Sequence, residues 1–574
     1  MVPPLVDCLN PEPRYLSSYA ECPTTVEGNP AAVNGNAHRS VLLVRIVLGL
    51  IPLAAGLYVI GIGQDTNWDL RNYHFYNPFA YLTGRMGHDV AVAHVATYYN
   101  PLLHIPFYYA VTALPPKAVG FMLGLIPGFN ILFLYAIARR VIDLGRPAHT
   151  AWFCLAVALL GLLGQNSLAE IGTSYADNIM SLPVLAAVWL IVRFRDRLAA
   201  PGLAGWTVAA AAGLLSGAVF GLKQPFAIYC VGLCAALFGL AMPLRRRFLL
   251  AFVFGLAVLT GAALTGGFWM LEMWERFGNP LFPYFNEVFK SPWGAEGSYR
   301  DERFIPESLH VWLLFPIWFN IDPMQVGEVA FRDLRFSLLY VLLIVLLVRA
   351  VCRLLKKQTT GGSPPPAQSD RRSVTRFFVI FTVVSFAVWM KLFGVYRYIV
   401  VCEFLAPLMI FLVIAALVRN PQRCLRLTAA AFVLLLVTFE PGDWGRRPWT
   451  ADYFGFEAPA LSEPRNTIVV VTGHDPMAYM IPFFPPEVRF LRIQGFLTGP
   501  SPTPNLTDRL MQAAIAKHTG PLFIIYRQYE EWSALNALEA YGLLMGRASC
   551  LDMNPGIEPQ PEHPYYFCRV TKKP

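Results

Sequence analysis

Long apolar runs separated by short polar segments dominate the first 440 residues of the chain. A helix needs about 20 apolar residues to cross the hydrocarbon core of a bilayer. The repeated runs therefore predict a polytopic membrane protein, mainly α-helical, built as a bundle of about eleven spans. The predicted spans are residues 41–62, 118–138, 149–166, 178–194, 204–221, 225–243, 248–269, 336–351, 376–392, 398–418 and 424–439.

Basic residues concentrate in every second loop. The positive-inside rule assigns such loops to the cytoplasm, and a cytoplasmic N-terminus puts all of them there. The predicted cytoplasmic loops are 138–146, 193–197, 245–247, 353–376 and 419–426. The loops with mixed or acidic charge then lie outside, at 63–117, 167–177, 270–335 and 391–397.

One apolar segment, residues 100–114, does not fit this alternation. It is short and contains Pro101 and Pro106. Counted as a span, it would invert the sidedness of every later loop. We therefore predict a helix that lies in the outer interface or dips into it, with His104 at that level.

The pattern changes after residue 440. Residues 466–476 and 520–527 are β-like runs, and residues 531–546 favour a helix. These features predict a small α/β domain on the outer side. The chain thus divides into a loose, disordered cytoplasmic arm (1–40), a membrane domain (41–440) and a periplasmic domain (441–574).

Composition agrees with this division. Only 14% of the residues are charged, against about a quarter in soluble domains. The net charge of +9 comes with basic loops between apolar runs, so it does not indicate nucleic-acid binding. Of ten cysteines, only Cys550 and Cys568 lie in the outer tail, where they could pair or remain free thiols. No Cys/His spacing is typical of a zinc site.

Ionisable residues gather on the predicted outer side from segments far apart in sequence. Such groups cost about 2.5–3.5 kcal/mol each at membrane depth and are functional candidates. The set comprises the carboxylates Asp65, Asp69, Glu170 and Asp177, and the cations Lys223 and Arg397, the latter flanked by Tyr396 and Tyr398.

Each of these residues also has an ordinary structural explanation. Helix capping would account for the aspartates, and snorkelling would account for the two cations. Glu403, inside the tenth predicted span, has either a buried partner or a ligand contact. Packing or interface positions would account for the nearby histidines, His74, His94 and His104.

Acids and cations at a bilayer surface suit group transfer from a lipid-linked phosphate. A Lys or Arg stabilises the charge that develops on the departing phosphate. A carboxylate takes the proton of the acceptor hydroxyl. The aromatic residues around Asp69 offer faces for a sugar ring and the first isoprene units.

Several segments, in this order and on this side, resemble the GT-C membrane glycosyltransferases, which include lipid A aminoarabinose transferase, protein O-mannosyltransferases and oligosaccharyltransferases. "WDLRNYHFYNPFAYLTG" resembles their segment after the first span, with Asp69 at the catalytic Asp position and Leu70 where a Glu usually follows. "EIGTSYADNIMSLPVL" is similar to their second outer loop and places Asp177 at its acidic residue. "YRYIVVCEFLAPL" resembles their late Arg-Tyr segment.

The resemblance implies a GT-C fold in a bacterial inner membrane and a polyprenyl-phosphate sugar as donor. Asp69 would deprotonate the acceptor hydroxyl of a glycan, lipid or protein, with Asp65 as a candidate second carboxylate. Some members bind a divalent metal beside their acids, but this sequence has no dedicated set of ligands for one, so we predict no tightly held metal. The binding set would comprise Arg397 and Lys223 on the donor phosphate, with Tyr396, Tyr398, His74, Asp177, Glu170 and His104 around them.

A transporter or flippase for lipid-linked sugars is the alternative. It would also need many spans and outer cations. Transporters often carry internal repeats and helices broken near the midplane. The chain has no such repeat, and its acids collect at one face.

Overall fold

Helices account for most of the residues that the computed structural model describes, which are 30–297, 299–355 and 366–574. Side chains are described from residue 38 onward and, after the second gap, from residue 370. The helices of the membrane region are α1 (Pro30–Ile62), α2 (Tyr76–Leu82), α3 (Ile105–Ala113), α4 (Pro116–Gly128), α5 (Asn130–Val141), α6 (Pro147–Leu162), α7 (Gln165–Glu170), α8 (Asp177–Arg193), α9 (Arg195–Ala199), α10 (Leu203–Leu222), α11 (Ala227–Ala236), α12 (Leu244–Ala262), α13 (Phe268–Phe277), α14 (Asn286–Phe289), α15 (Leu309–Trp318), α16 (Arg335–Leu355), α17 (Pro366–Leu392), α18 (Val400–Leu417) and α19 (Pro421–Val437).

Seven helical stretches are long and apolar enough to cross a membrane, so the chain is an integral membrane protein by length and composition. The other four predicted spans also coincide with helices, but α6, α8 and α19 have 17 residues or fewer, and so does Gln224–Gly239 around α11. The count of eleven stays a prediction. The seven are His38–Ile62, Pro116–Val141, Leu203–Leu222, Leu244–Phe277, Arg335–Leu355, Asp370–Leu392 and Tyr396–Leu417.

Two helical segments of the membrane region bear on earlier predictions. Helix α1 begins at Pro30, so the predicted arm is helical from that residue, and residues 1–29 of the arm lie outside the described part. The segment 100–114 forms a short turn at Pro101–His104 and the nine-residue helix α3. This helix is too short to span a bilayer.

The chain leaves α1 through a tight connection to the C-terminal region. It turns at Gly63, whose φ of +101° favours glycine, into the two-residue strand β1 (Gln64–Asp65). Strand β1 pairs antiparallel with β2 (Arg446–Arg447). A π-helical turn, Leu70–His74, then leads into α2. This pairing holds Asp65 and Asp69 at the mouth of α1.

The C-terminal region contains a five-stranded sheet in the order β4-β3-β5-β7-β6, in which β3, β4 and β5 are parallel and β7 and β6 are antiparallel to their neighbours. It is the predicted α/β unit. Its elements are β3 (Ile468–Val471), β4 (Arg489–Arg492), α20 (Leu506–Lys517), β5 (Leu522–Arg527), α21 (Glu531–Ala540), β6 (Leu543–Met553) and β7 (Tyr565–Lys572).

Two details of this region bear on the sequence analysis. The helix predicted over 531–546 ends at Ala540, because Gly542 adopts a left-handed conformation (φ +64°) that stops a helix. Leu543 is buried and starts β6 instead. Cys550 on β6 and Cys568 on β7 form a disulfide, so of the two alternatives the structure has the paired one.

A hydrophobic cluster joins the segment after α1 to the C-terminal region. Leu70 and Phe75 are buried in the same cluster as Phe454, Val469 and Tyr479. Burial of large aromatic side chains contributes strongly to such contacts. The segment after α1 therefore packs against the C-terminal region.

Candidate active site

An ion pair at the mouth of the bundle joins two residues that the sequence analysis singled out. Arg397 donates from Nη1 to Oδ2 of Asp69 over 3.0 Å. Asp69 precedes the π-helical turn after α1, and Arg397 lies in the turn before α18. Their side chains keep 13% and 10% of their surface exposed. The pair is thus recessed but open on one side.

Arg397 contacts a second carboxylate that the sequence analysis missed. Its Nε lies 3.2 Å from Oε2 of Glu328, whose side chain is 32% exposed. The guanidinium is planar and presents donors along more than one edge, so it can engage two carboxylates at once. The sequence signal was weak: Glu328 is the lone acid of the apolar stretch "QVGEVAF".

The face of the same guanidinium packs on two tyrosines. The Arg397 Cζ atom lies 4.5 Å from the ring centre of Tyr175 and 5.1 Å from that of Tyr398. Such cation–π contacts hold a guanidinium flat against a ring. Tyr175 was also missed, because nothing in the sequence couples the loop between α7 and α8 to the turn before α18.

Lys223 approaches the same two tyrosines from another helix. Its Nζ lies 2.6 Å from Oδ1 of Asp177 and donates to the backbone carbonyl of Tyr175 over 2.8 Å. The same Nζ lies 5.7 Å from the ring centre of Tyr398. The structure therefore brings both predicted cations to the same two residues, Tyr175 and Tyr398, and both cations lie near the Tyr398 ring.

Neither Asp69 nor Asp177 caps a helix. Asp69 precedes the turn without a side-chain capping bond, and Asp177 is the first residue of α8 after an uncapped Ala176. Each carboxylate instead faces a cation. The capping alternative raised above therefore fails for these two residues.

Asp65 has a different environment. Its carboxylate accepts from the backbone N–H groups of Asn67 (3.0 Å) and Ser174 (2.8 Å) and from both side chains, at 2.6 and 3.2 Å. The residue is buried. With four hydrogen bonds satisfied, Asp65 ties the loop between α7 and α8 to the segment after α1, which favours a positioning role over proton transfer.

Glu170 is buried behind the cations. Neither oxygen of its carboxyl group has a hydrogen-bond partner within the described residues. Burial and then the charge of Asp177 raise the pKa of Glu170 well above its usual range. The neutral acid is therefore the favoured form, because ionising an unpartnered buried carboxyl is costly.

His74 and His104 stack on each other beneath this layer, with ring centres 3.9 Å apart. Nδ1 of His74 lies 2.8 Å from Oγ of Ser174, and Nε2 of His104 lies 3.3 Å from the backbone carbonyl oxygen of Ser174. Burial lowers the pKa of both rings, that of His104 to about 3. They are neutral packing residues at physiological pH.

Three further side chains hold the surrounding elements. Glu403 accepts the backbone N–H groups of Asn166 and Ser167, at 3.0 and 3.1 Å, so its partner is the first turn of α7. Tyr396 is buried among phenylalanines, with Phe331 at 4.6 Å, and supports the turn that carries Arg397. His94 is buried beside Trp68, ring centres 5.8 Å apart.

Aromatic rings line both sides of Asp69. The ring centre of Trp68 lies 6.2 Å from that of Phe496 in the C-terminal region. Tyr73 packs edge-on against Tyr99, with ring centres 5.1 Å apart. Such rings present apolar faces that suit sugar rings and isoprene units. Within the described residues, no group of three or more His, Cys, Asp or Glu side chains is placed to hold a metal ion.

No protein-family model, curated protein or solved structure matches this chain. The geometry of the site, together with the sequence, therefore carries the functional argument.

Proposed function

We propose that the protein is a membrane glycosyltransferase of the GT-C type, which transfers a sugar from a polyprenyl-phosphate donor to an acceptor hydroxyl at the outer, periplasmic face. The observation that carries this proposal is the Asp69–Arg397 pair. It combines a proton acceptor and a phosphate-binding cation at the outer end of membrane helices.

The donor phosphate would bind the two cations on the tyrosine pair. Arg397 offers a planar fork suited to a phosphate, and Lys223 adds a second positive charge. Since Asp69 accepts from Nη1 of Arg397 before the donor arrives, the phosphate would take its place there. This exchange of partners releases the carboxylate beside the sugar.

The transfer then requires one proton movement and one exchange of bonds. Asp69 accepts the proton of the acceptor hydroxyl, whose oxygen bonds to the anomeric carbon. The bond between that carbon and the phosphate oxygen breaks, and polyprenyl phosphate leaves with its electron pair. Arg397 and Lys223 stabilise the negative charge that develops on it.

The remaining residues support these groups. Tyr175 and Tyr398 hold the guanidinium plane, and Asp177 holds Lys223 in place. Asp65 and the two stacked histidines fix the loops beneath. A divalent metal beside Asp69 and Glu328 is compatible with their oxygen donors, and no step of the scheme requires it.

Purified protein incubated with a panel of polyprenyl-phosphate monosaccharides tests the proposal. We expect one donor to release polyprenyl phosphate, by transfer or by slow hydrolysis, and Asp69→Asn to stop the release. Movement of an intact donor across proteoliposomes, without cleavage of any donor, would instead identify a flippase and reject the enzyme.

A further inference from the structure

A cavity of about 890 Å³ opens on the outer side, apart from the Asp69–Arg397 pair. Its walls are the end of α1 (60–63), the start of α4 with the residues before it (115–117), and the strand and loop 446–451. One spanning helix ends here at Ile62 and the next begins at Pro116. The cavity therefore lies at the level where lipid headgroups meet the protein.

The charge of this cavity is entirely positive. Lys117, Arg446 and Arg447 line it, and no carboxylate does. Arg446 is already engaged, because its guanidinium donates to the carbonyl of Ile171 over 2.6 Å. The side chains of Lys117 and Arg447 have no partner within the described residues.

Arg447 carries the most specific signal. Its Nε is shielded from solvent and makes no hydrogen bond with any described residue. A buried donor without an acceptor is costly, and a charged donor more so. Arg447 also lines the cavity, so an anion there would give its guanidinium group an acceptor that the described residues do not supply.

The cavity walls are held in a fixed arrangement. The indole of Trp449 donates to the carbonyl of Ile60 over 2.9 Å. The same ring lies against Gly120 of α4, where a methyl group would come within 2.1 Å of it. Arg447 itself is paired through β2 with Gln64. A ligand would therefore meet a preformed site.

We propose that this cavity binds the headgroup of an anionic phospholipid of the outer leaflet. The phosphate would contact Arg447 and Lys117, and the acyl chains would run along the membrane surface of α1 and α3. Leu57 and Leu114 are exposed next to the cavity on those sides. Trp449 at its edge suits the interfacial position of tryptophan. This site does not depend on the transferase proposal.

Lipid binding to the purified full-length protein tests the site. The protein in detergent is titrated with short-chain phosphatidylglycerol, and bound lipid is counted by native mass spectrometry. We expect the double variant Lys117→Gln, Arg447→Gln to retain the lipid about tenfold or more weakly, since each cation near a headgroup contributes a substantial share of the binding free energy. Arg447→Lys, which keeps the charge but loses the guanidinium fork, should weaken retention less than the double variant does.

Lys391→Gln is the matched control, because Lys391 is an exposed cation outside the cavity. It should retain lipid fully, and all variants should unfold at the same temperature. The proposal is wrong if the double variant retains phosphatidylglycerol as well as the control does. Equal retention of phosphatidylcholine, or complete displacement of lipid by millimolar inorganic phosphate, would also overturn it.

Discussion

Two arginine–carboxylate pairs lie among the helices of the membrane region, and they are built in opposite ways. Arg335 and Asp333 are 1% and 2% exposed and lie 2.8 Å apart. Asp333 also accepts the backbone N–H of Gln165, and Arg335 donates to the carbonyls of Leu163 and Glu403. This closed pair has partners on every side.

The open pair, Asp69 and Arg397, is several times more exposed, and Arg397 has a second partner, Glu328, whose side chain is about a third exposed. A closed pair joins elements, here α6, α7, α16 and α18, and cannot change partner without unfolding them. An open pair can release one partner and take another. Exposure and partner count, rather than charge, therefore separate a structural ion pair from a functional candidate.

The largest expected effect is on the closed pair. Arg335→Gln leaves Asp333 charged and buried without its cation, which costs about 3–5 kcal/mol of stability. Thermal unfolding in detergent should show a large drop for this variant and a clearly smaller one for Arg397→Gln. Equal losses would remove the distinction between the two pairs.

The next effect is on turnover at the open pair. Asp69→Asn keeps the shape of the side chain but removes its basicity, so transfer should fall by about 10²–10⁴-fold with the unfolding temperature nearly unchanged. Asp65→Asn is the matched control, four residues earlier. Its main effect should be a lower unfolding temperature, with a smaller effect on turnover, because Asp65 holds the loop of Ser174. If Asp65→Asn abolished transfer while Asp69→Asn mainly lowered stability, Asp65 and not Asp69 would be the catalytic base.

The sequence predicted this comparison in part. Apolar periodicity placed every predicted span on a helix, and charge sidedness brought Asp69 and Arg397 to one face. The sequence could not predict that Arg397 contacts Glu328 and Tyr175, because contacts between distant loops depend on how the helices pack. The same limit applies to Asp65: its identity suggests an acid, and only its four hydrogen bonds show a positioning residue.

A smaller effect is expected from acid. Burial lowers the pKa of His104 from 6.5 to about 3, so between these values the unfolded chain binds a proton that the folded chain does not. Stability is fully present above pH 6.5 and is lost as pH falls, by about 1 kcal/mol for this ring at pH 5.5. Unfolding of His104→Gln should depend less on pH between 6.5 and 5.5, and an unchanged slope would reject this origin.

The smallest effect is expected at Glu328. The Glu328 side chain is about a third exposed, and pairs open to solvent contribute only about 0.2–1 kcal/mol. Glu328→Gln removes one carboxylate that competes with the donor phosphate for Arg397. Donor affinity should rise by no more than about fivefold, as read from the donor concentration at half-maximal rate. A large loss of turnover would instead make Glu328 part of the chemistry.

Donor binding by two single variants tests the central claim most directly, namely that Arg397 holds the phosphate while Asp69 handles the proton. Equilibrium binding of the active polyprenyl-phosphate sugar is measured for Asp69→Asn and Arg397→Gln. We predict that Asp69→Asn binds the donor at least as tightly as the unsubstituted protein, since the charged carboxylate of residue 69 no longer competes with the phosphate for Arg397, and that Arg397→Gln binds at least about tenfold more weakly. Loss of binding in Asp69→Asn, or full binding in Arg397→Gln, would contradict the account.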